Sequence, residues 1–124
     1  MTWPGFEVKD LAKFHEPLTD LFERPLSKLE WARFRLTNEQ VGFYRREGYL
    51  AGVDLLNESQ VEVLRLELEK LTDTNLPSRE LFYEYNPNES TDRTRVLFHA
   101  LGAWRIATGF HDLLWNPAFL MAAA

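Results

Sequence analysis

LTNEQVGFYRREGYLAGVDLLNESQVEVLRLELEKL, residues 36–71, is the stretch whose reading decides the fold. It reads as helix, strand, helix. Thr37 stands as an N-cap with Gln40 three residues on, the capping-box pattern in which each side chain satisfies the other's backbone N–H. Leu36 before that cap and Val41 after it are spaced as a hydrophobic staple. The device recurs at Asn57 and Gln60, with Leu56 and Val61 as the staple. Gly48 is predicted to end the first helix, because a residue without Cβ takes the left-handed C′ conformation cheaply. Between the helices, Tyr49-Leu50-Ala51-Gly52-Val53 is too short for a further helix and predicts a strand.

In the second helix Val61, Leu64, Leu68 and Leu71 recur at 3.6-residue spacing, so that face is expected to be buried, widened by Val63 and Leu66. Glu58, Glu62, Arg65, Glu69 and Lys70 form the solvated side. Arg65 and Glu69 are an i, i+4 pair worth about 0.3 kcal/mol and carry no chemistry.

These residues also carry a resemblance. The stretch is similar to the N-terminal segment of the phytanoyl-CoA dioxygenase family of Fe(II)- and 2-oxoglutarate-dependent oxygenases. Thr37, Glu39, Gln40, Phe43, Gly48, Tyr49 and Leu50 fit the family's opening helix and strand. Leu56, Val61, Leu64, Arg65, Leu68 and Glu69 fit the helix that follows. FHDLLWNPAFLMAAA, residues 110–124, resembles the helix leading into the family's catalytic barrel, so the resemblance covers residues 36–124. It implies a double-stranded β-helix (jelly-roll) enzyme that hydroxylates an unactivated C–H bond of a small-molecule substrate, with Fe(II) and 2-oxoglutarate as cofactors. None of the matched residues is a catalytic one.

Outward from that stretch, residues 1–35 read as an irregular N-terminal arm wrapped over the rest of the fold. Pro4, Pro17 and Pro25 stop any long helix there. Residues 10–14 suit a helical turn or two, and Leu18, Leu21 and Phe22 have the spacing of another. Trp3, Phe6, Phe14, Phe22, Trp31 and Phe34 are the expected anchors. On the other side, residues 81–85 alternate as a strand, and residues 86–92 are dense in turn formers and predict an exposed loop. Residues 96–101 suit either a strand or a helix start. Gly109 is expected to separate a helix around residues 103–108 from the next element. Asn116-Pro117 predicts a helix start, Asn at the cap and Pro at N1. That last helix lacks a stop signal, and the reading is of a chain cut in mid-helix, an oxygenase portion over residues 36–124 truncated before its barrel.

The fold class expected is mainly α with a few short strands (α+β). The chain of 124 residues is short enough for one domain, and 45% hydrophobic content can build a core. With 14 basic against 19 acidic residues there is no basic excess for nucleic acid. No apolar run approaches the roughly 20 residues that cross a bilayer, so no membrane partner is expected and the localisation expected is cytoplasmic. The absence of cysteine excludes disulfides, thiolate metal sites and cysteine nucleophiles.

The family's iron is held by a facial triad of two His and a carboxylate, the first two as His-x-Asp or His-x-Glu. Two places after His15, His99 and His111 stand Pro17, Leu101 and Leu113, so the pattern is missing. A metal site from His99, His111, Asp112 and Glu84 has no support in spacing. His99 is expected to be partly buried on a backbone partner, and His111-Asp112 to sit at a helix end near Trp115. Ser27, Ser59, Ser78 and Ser90 lie in polar surroundings without a nearby His, which leaves a hydrolytic triad unsupported. No catalytic, cofactor-binding or metal residue is therefore assigned. Arg93, Arg95 and Arg105 are the polar residues to follow, placed to meet an anionic substrate or a carboxylate of a barrel, with surface salt bridges as their ordinary role.

The functional expectation is the N-terminal part of such a dioxygenase, inactive by itself, whose partner is the missing C-terminal barrel or a second copy joined through exposed apolar surface. The alternative is a free-standing helical protein-interaction module derived from that family.

Overall fold

Both capping boxes form. A computed structural model describes residues 9–124, and in it Thr37 accepts from the Gln40 N–H while the Gln40 side chain accepts from Thr37 N–H, opening helix α2 (Asn38–Glu47). Asn57 and Gln60 do the same for α3 (Glu58–Leu71). Gly48 closes α2 at φ 79°, a left-handed conformation that side chains resist. A shorter helix, α1 (Lys28–Ala32), precedes them, with Ser27 as N-cap accepting from the Glu30 N–H.

The strand expected over residues 49–53 does not form. The segment from Tyr49 to Asn57 carries no regular element and pairs with neither strand of the sheet; the Leu55 carbonyl instead accepts from the Asn116 side chain at 2.8 Å. A strand without a partner leaves its N–H and C=O groups to water.

The two strands that do form are β1 (Glu84–Asn86) and β2 (His99–Leu101), antiparallel, with Tyr85 opposite Ala100. The strand expected at 81–85 is shifted toward the C-terminus. A 3₁₀ turn at Arg79–Leu81 holds the chain through Leu81 N–H to Ser78 O and Phe82 N–H to Arg79 O, so the first bond to the other strand is Tyr83 N–H to Leu101 O and the strand itself starts at Glu84. Phe82 goes into the core while Glu84 is exposed, which separates two side chains that alternation puts on one face. The turn-rich loop after Asn86 is exposed through most of its length.

After a further 3₁₀ turn at Ala103–Arg105 come α4 (Thr108–Leu113) and α5 (Pro117–Ala123). Gly109, expected as a separator, lies in the first turn of α4. The expected N-terminus of α5 is present, with Asn116 accepting from Ala118 N–H and Pro117 at N1.

The core is small: Leu71, Leu76, Phe82, Ile106 and Ala107, flanked by Leu81, Tyr85, Ala103 and Phe110. It lies between the C-terminal end of α3 and the second half of the chain. This corrects the expected seam of α3. Leu64 and Leu71 are buried, but Val61 and Leu68 are exposed, as are Val63 and Leu66 on the other flank. The inward line is Gln60, Leu64, Glu67, Leu71, with the two leucines buried and the two polar members half-buried, each with a partner on a neighbouring segment.

The residues from 9 onward that precede α1 form a strap across α4. A 3₁₀ turn at Leu11–Lys13 is capped by Asp10, but Leu21 and Phe22 lie in a bend, with Leu18 just before it, instead of a helical turn. Leu11 and Phe22 are its buried anchors; Phe14 is exposed, Trp31 and Phe34 are half-buried, and Trp3 and Phe6 lie outside the described residues. The molecule is thus mainly α with one two-stranded sheet. No helix among the described residues is long and apolar enough to cross a membrane.

Candidate functional site

The most tightly built polar group is the His111–Asp112 pair in α4, each side chain almost fully buried. On a helix, neighbours point about 100° apart, yet the His111 ring turns so that Nδ1 lies 2.9 Å from Asp112 Oδ1. On the ring's other side Nε2 lies 2.9 Å from the Phe14 carbonyl oxygen. Asp112 accepts in addition from Leu18 N–H at 2.8 Å, Thr19 N–H at 2.7 Å and the Thr19 hydroxyl at 2.5 Å. Burial pushes the Asp112 carboxyl up, but the Thr19 hydroxyl, the His111 ring and the two backbone N–H groups outweigh it and hold it below its ordinary value. The pair sits at a helix end beside Trp115, as expected, in the last turn of α4, and from there it also holds residues 14–19.

The N-terminus of α4 is served from another helix. Its own N-cap, Ala107, has no side-chain oxygen to offer. Glu67 of α3 fills that role, accepting from Gly109 N–H at 2.9 Å, Phe110 N–H at 3.2 Å and the Thr108 hydroxyl at 3.2 Å. A Cβ on Gly109 would stand 2.7 Å from the nearer Glu67 oxygen, which explains a glycine inside a helix.

Of the three arginines singled out, Arg105 is structural. It pairs with Asp10 at 2.6 Å, donates to the Leu81 carbonyl at 2.9 Å and stacks over the Tyr83 ring. The hydrogen bond from Arg105 is the main cause that keeps Asp10 below its usual range. Arg95 makes a long contact with Asp92 at 3.8 Å, and Arg93 is exposed. His99 is half-buried as expected, but its partner is the Glu84 side chain at 2.9 Å, across the sheet, instead of a backbone group. His15 is exposed. Ser27 caps α1, Ser59 donates to Asn57, and Ser90 bonds within its loop. Ser78 is buried, contrary to the expected polar setting.

The chemistry of a facial triad requires two imidazoles and a carboxylate aimed at one point. Glu84 and His99 belong to the sheet and His111 and Asp112 to α4, and no three such side chains converge among the described residues. Both ring nitrogens of His111 and both oxygens of Asp112 already have partners. This donor set does not fit an iron held in that way.

An open groove of about 660 Å³ runs between α2 and α5, lined by Leu36, Val41, Tyr44 and Met121 with Arg35 and Arg45 among its walls. Its lining holds no His and no carboxylate side chain. No protein-family model matches the chain, and no curated protein does.

Proposed function

We propose that this chain is the N-terminal, non-catalytic part of an Fe(II)/2-oxoglutarate-dependent dioxygenase of the phytanoyl-CoA dioxygenase type. Its helices would brace the outside of a jelly-roll barrel, with the iron ligands and the 2-oxoglutarate site carried by that barrel. The observation that carries the reading lies in α2 and α3. The residues bearing the resemblance fold into two box-capped helices whose apolar flanks stay open. Val61 and Leu68 on one side of α3, and Val63 and Leu66 on the other, are the surface that a further layer would cover.

Turnover of 2-oxoglutarate to succinate tests the proposal. The natural protein, isolated from its source and supplied with Fe(II), is expected to release succinate, and the 124-residue chain to release none. Succinate from the chain alone would overturn its non-catalytic role. Absence of turnover in the natural protein would favour the interaction-module reading.

A further inference from the structure

The strap is fastened at three places, and they differ in how they respond to protons. Asp10 is held by Arg105, and the Leu21 carbonyl by the Gln60 side chain at 2.9 Å. Between them, residues 14–19 are hydrogen-bonded to α4 through His111 and Asp112, while Arg24 of the same strap donates to the Pro17 and Thr19 carbonyls.

Donors and acceptors at that middle point can be counted. The Phe14 carbonyl can only accept, so the ring needs a proton on Nε2. Asp112 takes three hydrogen bonds from the strap, an arrangement that suits a carboxylate, so Nδ1 must also carry a proton. The ring that satisfies both neighbours is the imidazolium.

We propose that His111 is a proton-operated latch for the strap: its doubly protonated ring fastens residues 14–19 to α4, and loss of one proton unfastens them. With that proton gone, a nitrogen lone pair faces an oxygen lone pair in a site closed to water, an arrangement that costs more than an exposed unmade bond. Undocked, the ring is solvated and tolerates either state. Docking therefore binds a proton, and by linkage it weakens as pH rises.

The surrounding charges leave this sign intact. Asp112 on the same helix favours the cation. Glu67 from α3 sits at the other end of α4, engaged with the amides there. Arg105, from the turn before α4, is paired with Asp10. Lys13, His15, Glu16 and Asp20 on the strap itself are exposed, Arg24 is engaged with the Pro17 and Thr19 carbonyls and stays charged across this range, and residues 113–124 carry no titratable side chain. The Asp10–Arg105 and Leu21–Gln60 fastenings do not involve His111, so the release is a local opening of residues 14–19.

Nuclear magnetic resonance on the full chain tests this, following the His111 ring nitrogens and the Leu18 and Thr19 amides from about pH 5 to pH 9, where imidazoles titrate. The expected result is an imidazolium at the acidic end, with the two amides losing their hydrogen-bonded shifts at the same midpoint as the ring loses its proton. His15→Gln, a change on the exposed loop, should leave that midpoint in place. A neutral His111 ring beside fully docked amides would overturn the latch. So would amides that stay put while the ring deprotonates, or a transition that disappears in His15→Gln.

Discussion

Glu67 of α3 reaches across to Gly109, accepting its backbone N–H at 2.9 Å and so capping a helix to which it does not belong. The fit is mutual, since a Cβ at 109 would come within 2.7 Å of the carboxylate and oblige it to shift. Glu67→Ala should therefore destabilise the chain by about 1–2 kcal/mol, the usual cost of a lost N-cap. Glu58→Ala, on the solvated face of the same helix, should stay within about 0.5 kcal/mol of the parent. Urea denaturation of the two variants checks the contrast, and equal effects would remove Glu67 from this role.

The Asp112 network gives the acid side of the stability profile. Its folded carboxyl titrates below its ordinary value of 3.8, so on acidification the unfolded chain takes up the proton first. Its contribution is complete above that value and is lost as pH falls through the folded one. Asp10, held down by Arg105, adds in the same direction. Melting temperature should thus fall steeply below about pH 4. Asp112→Asn should cost about 2 kcal/mol at neutral pH, from donors left without a charged acceptor, and should flatten the acid limb. Thermal melts of both proteins against pH provide the check.

Two glycines of the α2 region should respond in opposite directions. Gly48 sits at φ 79° with open space where a Cβ would go, so Gly48→Ala meets only backbone strain, about 1–2 kcal/mol. Gly42 lies within α2, and its nearest neighbour to a new Cβ is Arg46 at 3.6 Å. Gly42→Ala should stabilise by up to about 1 kcal/mol through helix propensity. Chemical denaturation of each variant reads the sign directly.

The open flanks of α3 should make the isolated chain associate. Leu66 and Leu68 stand on opposite sides of the buried line and are both more than two-fifths exposed. Replacing both by Lys should shift the chain toward monomer in sedimentation while changing stability by no more than about 0.5 kcal/mol per site, as for surface positions. Association that persists unchanged would place the sticky surface elsewhere.

Local signals in the sequence were legible where they satisfy themselves. The two boxes, the Gly48 stop and the Asn116-Pro117 start each depend on residues within four positions, and each is present in the structure. Ser27 with Glu30 is a further local cap signal, at α1, which the sequence reading passed over. What could not be read is what depends on distance along the chain. The apolar pattern of α3 marks a wide face, but only contact with α4 selects the narrow line through Leu64 and Leu71 and brings in Glu67. His111-Asp112 looked like an ordinary adjacent pair because its partners, Phe14, Leu18 and Thr19, lie more than ninety residues earlier. Residues 49–53 have a strand's composition, but pairing needs a neighbour that composition cannot supply.

The central claim is that these residues brace a catalytic barrel, and the intact mass of the natural protein in its source tests it most directly. The account predicts a mass well above the 14.6 kDa of this chain, with a His-x-Asp and a distal His in the additional sequence. A natural product of 14.6 kDa would contradict it, and the open flanks of α3 would then belong to a protein-binding module.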